Sequence, residues 1–417
     1  MRVAVIGAGI LFEAEDRPGG HTNTIDVDTP EGTLAIDTGF IVYNERNYPE
    51  FVKLLAELGV ESQPTRMSFS VRCEHTGLEY CGSSMNAIFA QRRNLLRPGF
   101  YRMLRDILRF NEEGTAIARS RFTADEGELT VGEYLEYNGY SASFREQYLL
   151  PMAAAIWSAS PQHVGEFPLS YLARFFDHHG LMQLSDRPQW RVIRGGSRQY
   201  LQPLMRRYAD GFRPATPVER VSRDPRGVTV VPRGGGPEHF DQVVLACHSD
   251  QALAMLTDAT DTERAVLGAI RYQQNEAVLH TDAGLLPRRR RAWAAWNYCR
   301  PQQDARRVAV TYSMNILQSL PTDTQYLVTL NQSDRIDPAC VIRRIDYAHP
   351  VYDVPSVRAR RRRREISGVN RTAYCGAYWG FGFHEDGVQS AIAAVDDICG
   401  TRREHESDAE LYLSRVG

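Results

Sequence analysis

The chain is nearly devoid of lysine. Arginine supplies almost all of its positive charge, and Lys53 is the single lysine. Any chemistry that needs a lysine in a site must use that one residue or do without. Long apolar runs are missing as well. None approaches the roughly 20 residues of a membrane-crossing helix, and the best, Leu149–Trp157, is short enough to read as core. The 7 cysteines are scattered (Cys73, Cys81, Cys247, Cys299, Cys340, Cys375 and Cys399) and form no CxxC pair. Their odd number argues against a disulfide framework, and reduced thiols in a cytoplasmic protein are the expectation. No basic, apolar leader precedes the first strand, so no signal peptide is expected. A formal net charge of -2 gives no reason to expect a nucleic-acid partner. No metal site is expected.

What is present suffices for a large core and more than one domain: 417 residues, 43% of them hydrophobic. Residues 1–80 read as α/β, with strands at Leu34–Ile36 and Ser68–Arg72 and a helix over Pro49–Leu58 that stops at Gly59. Between about 85 and 185 the apolar spacing turns helical, as in Phe100, Met103, Leu104, Ile107 and Leu108. From Trp190 the α/β texture returns. "VERVSRDPRGVTVVP" predicts a hairpin and "FDQVVLAC" a buried strand. Alternation in "EAVLHT", "RVAVTYS" and "QYLVTLN" predicts an antiparallel sheet over residues 270–340. A strand, a Gly-rich loop and a helix starting near Gly387 close the pattern. The polar end from Thr401 is expected to fray.

Two arginine runs, "PRRRRAW" (287–293) and "RARRRRRE" (358–365), read best as solvated loop or helix faces. A third set differs. Arg92, Arg93, Arg97, Arg102, Arg105 and Arg109 flank the apolar stripe of a helix. Packing of that helix on its own domain is the simpler expectation; peripheral contact with the inner membrane face is the alternative.

The chemistry-bearing motifs begin at the N-terminus. Val3–Ile6 predicts a buried strand, and Gly7-Ala8-Gly9 a turn that brings backbone close to a phosphate. Glu13 then stands where a carboxylate accepts hydrogen bonds from a ribose diol. Arg17 follows, suited to a diphosphate, and Gly19-Gly20 lets backbone pass close beneath a cofactor.

Strand-GxG followed by E-A-x-D-R-x-G-G resembles the FAD-binding signature of the flavin amine oxidase and phytoene desaturase superfamily. "DTGF" (37–40), "RGGSRQYLQPL" (194–204), "TPVERV" (216–221), "FDQVVLAC" and "TAYCGAYWGFGFHEDGVQSA" resemble its later motifs in the same order. More narrowly, "DTGFIVYN", "FAQRRNLL", "DRPQWRVIRGGS" and "GAYWGFGFHEDG" resemble a bacterial group described as predicted NAD/FAD-binding proteins. Members of that group are associated with cyclopropane-fatty-acid synthase-like genes. The resemblance implies an FAD-binding Rossmann-like domain from residues 1–80, 190–270 and 341–400. It implies a mixed α+β substrate domain from 81–189 and 271–340, with 401–417 left as a tail. It also implies an FAD contact at Thr38 and Gly39, an adenine contact at the backbone of Val218, and a flavin-facing loop and helix at Gly376, Asp386, Gly387 and Val388. Asp386 is expected either to hold a ribityl hydroxyl or to cap the helix.

Catalytic groups are harder to read, because hydride transfer to flavin is mostly the cofactor's chemistry. The candidates are His21, His384, Tyr378, Trp379 and Phe383. For the aromatics, core packing competes with a role in the substrate cavity. For the histidines, hydrogen bonding to backbone is the simpler expectation. Many amine oxidases of the superfamily hold a water against the flavin with a lysine in the substrate-side sheet. Lys53 is on the wrong segment for that, and Phe383 stands where an amine-caging tyrosine belongs, so a hydrophobic acyl, lipid or isoprenoid substrate is expected rather than an amine. A non-catalytic member with impaired FAD binding is the rival. An amine oxidase is a second alternative, and a NAD-dependent enzyme ranks last for want of a second complete Gly-rich βαβ unit.

One element is missing. A parallel crossover takes at least about 10–12 residues, yet only Ile10 separates Gly9 from Leu11. The third glycine of GxGxxG and the helix it opens are absent. Val3–Ile6 and Leu11–Glu13 are therefore expected to form one bent strand, or one of them to leave the sheet.

Overall fold

The computed structural model describes residues 1–7, 12–120, 129–302 and 308–400. Gly9 and the polar end from Thr401 lie outside them. Three short parallel strands from distant parts of the chain form the central sheet, in the order Val3–Ile6, Gln242–Leu245, Thr372–Tyr374. Val3 lies opposite Gln242 and Ile6 opposite Leu245. Their apolar sequences suit strands covered on both faces. One face packs on an antiparallel layer, Val218–Asp224, Gly227–Pro232 and Glu238–Phe240, so that Ala4, Ile6 and Phe12 meet Val221, Val228 and Val230. The expected hairpin is the core of this layer; the Asp224 carboxylate closes its turn by accepting the N–H groups of Arg226 (2.7 Å) and Gly227 (3.0 Å). The other face receives the C-terminal helix, His384–Cys399.

The expected antiparallel sheet is the middle of a larger one. Its seven strands run Val341–Pro350, Tyr272–His280, Leu327–Leu330, Val310–Ser313, Trp296–Arg300, Phe69–Cys73, Leu78–Cys81. Only the pairing of Trp296–Arg300 with Phe69–Cys73 is parallel. The sheet thus draws in residues on both sides of 270–340.

Helices take up most of the described residues from Met85 to His178, as the spacing predicts. The longest, Pro98–Arg119, buries Phe100, Met103, Phe110 and Gly114. The helix Pro49–Glu57 ends as expected, with Gly59 at φ +66°. Its N-terminus is capped from far away: Glu385 accepts the N–H groups of Glu50 and Phe51 at 3.2 and 2.9 Å. Among the described residues no helix is long and apolar enough to cross a membrane.

The second arginine run is not uniformly solvated, which corrects the expectation. Arg360 and Arg363 are buried. Arg360 donates to the Tyr378 carbonyl and to Ser356 Oγ and lies 4.2 Å from the centre of the Tyr352 ring, while Arg363 pairs with Asp397 at 2.8 Å. A helix presents one side inward whatever its charge, and these two guanidinium groups are buried with partners.

Candidate functional site

The first loop keeps both ends of the missing crossover in place. Ile6 and Phe12 form a parallel bridge, and Phe12 forms another with Arg213. Gly7 N–H donates to the Phe12 carbonyl (3.0 Å), and Phe12 N–H to that of Val5 (3.1 Å). This corrects the expectation of a bent strand or a departed one. A single bridging residue needs no ladder, so the short connection suffices to return Phe12 to the sheet edge. Gly7 has φ +84°, and a Cβ there would stand 2.8 Å from the Cys247 nitrogen. Only glycine fits this turn.

Glu13 is buried at the end of that edge. Its backbone is tied to Arg213 and Thr216, and its carboxylate accepts the Glu15 N–H at 3.0 Å. Arg17 turns back on its own loop, to Glu15 at 3.0 Å and the Gly20 carbonyl at 2.9 Å. Gly19 (φ +109°) and Gly20 (φ +52°) form the tight pair read from the sequence. Leu201 and Thr22 crowd Gly19, whereas nothing lies within 4 Å of a Cβ at Gly20.

Next to this pair, "DTGF" and "RGGS" are clamped together. Buried Asp37 accepts the Ser197 N–H and Oγ, both at 2.8 Å, and Thr24 Oγ at 2.6 Å. Burial lifts its carboxyl to about 6 against these bonds. Thr38 Oγ donates to the Asn23 carbonyl (2.9 Å) and lies 3.0 Å from the Tyr347 hydroxyl. Gly39 has no room for a side chain: a Cβ would stand 2.2 Å from the His21 carbonyl oxygen.

His21 enters a cluster that the sequence reading missed. Its ring stacks on Tyr347 at 4.7 Å and lies 5.3 Å from His349 and 6.3 Å from His248. His248 in turn stacks on Tyr272 at 4.3 Å. Burial first, and then the neighbouring histidines, hold His21 well below the ordinary histidine range; His349 is lowered to about 4 in the same way. His21 Nε2 is buried without a hydrogen-bond partner among the described residues. His384 is lowered to about 3 by burial. It stacks on Phe40 at 3.5 Å, and its Nε2 lies 3.1 Å from both Thr22 Oγ and the Tyr200 hydroxyl. His384 therefore meets side chains rather than backbone. His248 precedes the helix Ser249–Met255 and His349 lies near the end of the strand Val341–Pro350, 101 residues later, and no local pattern joins them.

The C-terminal helix begins at His384, three residues before Gly387. The expected free N–H of Gly387 is already bonded to the Phe383 carbonyl (3.1 Å). Asp386 sets this earlier start by accepting the N–H groups of Phe383 (2.8 Å) and Phe381 (3.1 Å), so of its two expected roles the structure displays the cap. Gly376 N–H donates to Ser390 Oγ at 2.9 Å, tying the loop to the helix. Val388 packs toward Tyr43, Tyr48 and Phe51. A Cβ at Gly387 would meet only the Ala377 Cβ, at 4.0 Å.

The aromatic candidates divide. Phe383 stacks on Phe175 at 5.1 Å beside His179 and Phe381. Tyr378 and Trp379 pack instead with Ile270, Ala359 and Tyr272. They do not share one wall with Phe383. The Tyr378 hydroxyl and Trp379 Nε1 are buried without hydrogen-bond partners among the described residues. Val218 opens the outer strand of the layer on the central sheet and is half-buried there.

Several features suit FAD. Gly20 and Gly387 leave open backbone, His21 Nε2 offers an unused buried donor or acceptor, and Glu13 ends the edge beside Phe12. Residues 10–279 match the model of the family described as flavin containing amine oxidoreductase. Among solved structures, cyclohexylamine oxidase from Brevibacterium oxydans IH-35A matches with a TM-score of 0.68 and 18% identity, over 96% of this chain and 99% of that one. A CLA-producing fatty acid isomerase from P. acnes matches with a TM-score of 0.65 and 14% identity, over 94% and 98%. Reduced UDP-galactopyranose mutase matches at 0.64 and 14%, over 97% and 96%. At these identities the likeness is one of fold. No curated protein sequence matches this chain.

Proposed function

The chain belongs to the flavin containing amine oxidoreductase family and is an FAD-dependent oxidoreductase; on that premise, we propose that it oxidises a hydrophobic acyl or isoprenoid group rather than an amine. The observation that carries this reading is a run of aromatic side chains that ends at Phe383: Phe383 stacks on Phe175, Phe175 meets Phe381, Phe381 meets Tyr171 and Tyr171 meets Trp157. Lys53, the single lysine, is exposed on the outer side of the helix Pro49–Glu57, paired with Glu50 at 2.7 Å. An aromatic wall binds alkyl chains and excludes water. The fatty acid isomerase among the similar folds is in keeping with an acyl substrate.

Bound FAD supplies the hydride acceptor, and this chain's residues supply pose and electrostatics. Glu13 is positioned for the ribose, Gly19-Gly20 and Thr38-Gly39 for the backbone approach, and the N-terminus of His384–Cys399 for the negative charge that develops on reduction. His21 and His384, held below the ordinary histidine range by burial, leave that task to the helix N-terminus. The free cysteines and a cytoplasmic setting belong to the same reading.

A second reading is favoured by one observation. Among the described residues no helix lies between Phe12 and the strand Thr24–Thr29, so a diphosphate has no helix N-terminus to receive it there. On this reading the protein keeps the fold and binds FAD weakly. The two readings separate on purified protein incubated without oxygen. We expect a yellow preparation bleached by a long-chain acyl or isoprenoid compound, with no steady peroxide from benzylamine or a polyamine. Turnover of either amine would overturn the substrate assignment, and a colourless preparation would favour the second reading.

A further inference from the structure

We propose that the start of the long helix Pro98–Arg119, with the short helix before it, is a docking surface for an anionic lipid bilayer. The face is both apolar and basic. Leu95, Leu96, Tyr101 and Leu108 are 47%, 87%, 47% and 53% exposed, although the three leucines have nothing polar that favours water. Tyr101 and Leu108 stand seven residues apart, on the side opposite buried Phe100, Met103 and Phe110. The Tyr101 hydroxyl donates to the Leu95 carbonyl at 3.1 Å, so the leucine pair and the helix form one piece.

Charge on this face has one sign. Arg92, Arg93, Arg102 and Arg105 are exposed. The single acid from 85 to 108 is Asp106, which is buried and 3.6 Å from Arg105. Arg102 has no acidic partner among the described residues. The next exposed acid on the helix is Glu112, a turn beyond Leu108. A helix N-terminus favours acids, yet the first turn here has none and arginines flank it. That arrangement costs helix stability and suits an external anion. Bare leucines among arginines suit a headgroup layer over acyl chains better than a free phosphate or a nucleic acid. This inference does not rest on the proposed substrate.

The test is co-sedimentation of the full chain with phosphatidylcholine vesicles, with and without phosphatidylglycerol. Binding to the phosphatidylglycerol vesicles alone is expected. The Leu95→Ser/Leu96→Ser and Arg102→Glu/Arg105→Glu variants should each lower the bound fraction about tenfold, with melting temperatures no lower than that of the parent chain. Leu184→Ser, another exposed apolar position, should bind like the parent chain. The proposal is overturned by absence of binding, by equal binding to neutral vesicles, or by leucine variants that bind undiminished. It is also overturned if these variants convert a dimer to a monomer while vesicle binding is absent.

Discussion

Glu13 and Asp28 are two acids near the Gly-Gly turn in very different settings. Glu13 is buried where Phe12 meets the sheet, with its carboxylate partly engaged by the Glu15 N–H. Asp28 is exposed on the hairpin Thr24–Thr29/Gly32–Asp37, where it accepts the Thr33 hydroxyl. A charged hydrogen bond contributes about 1.5–3 kcal/mol, so Glu13→Ala should weaken FAD binding roughly 10- to 150-fold. Asp28→Ala should leave it unchanged. Titration of each variant with FAD, followed by flavin fluorescence, gives the answer; equal affinities would remove Glu13 from the cofactor site. Such single residues were legible because their motifs are local. The sequence marks "DTGF" and "RGGS" separately, but their union through Asp37 spans 160 residues and needed the fold. The histidines around His21 were illegible for the same reason.

Elements were legible wherever apolar spacing dominates, as in the helix from Pro49 and the hairpin after Val218. Boundaries set by a distant side chain were not. The C-terminal helix starts early because Asp386 caps it, and Arg360 faces inward because Ser356 and Tyr378 receive it. The missing helix is the sharpest case. Ala4 and Ile6 are fully covered on their side of the sheet, while Val3 and Val5 are only half-buried on the other. The C-terminal helix over that second face leaves Ile392 47% and Val395 58% exposed. A helix between Ile10 and Leu11 would have apolar surface to cover there and would bring its N-terminus to the diphosphate. Insertion of about 16–20 residues after Ile10, several turns plus a link, should therefore deepen the yellow colour and raise the melting temperature. If the chain without the insertion already purifies with stoichiometric FAD, the short loop is competent and this reasoning fails.

Over the whole molecule, buried and half-buried histidines should dominate the response to acid. Among the described residues seven are shifted, all downward, and burial is the leading cause each time. His179 and His384 fall to about 3, and His280 and His349 to about 4, from the ordinary 6.5. A depressed histidine takes up its proton in the unfolded chain first. Its contribution to stability is whole above pH 6.5 and is lost as pH falls toward the folded value, by at most about 1.4 kcal/mol per pH unit for each group. Asp37 works the other way. Its carboxyl is raised to about 6 from 3.8, so its contribution is whole below 3.8 and lost as pH rises through 6. Burial also raises the Glu385 carboxyl, so these two acids offset part of the contribution of the seven histidines over that window. Protonation of any of His21, His248 or His349 would also raise the cost of charging the other two. The melting temperature at constant ionic strength should thus fall steadily from pH 6.5 to 4.5. His349→Asn, which removes one depressed group and its repulsion, should shallow that slope. A parent profile that is flat or rises on acidification would show that the cluster titrates near 6.5 in the folded protein, with water or cofactor reaching rings that the packing encloses.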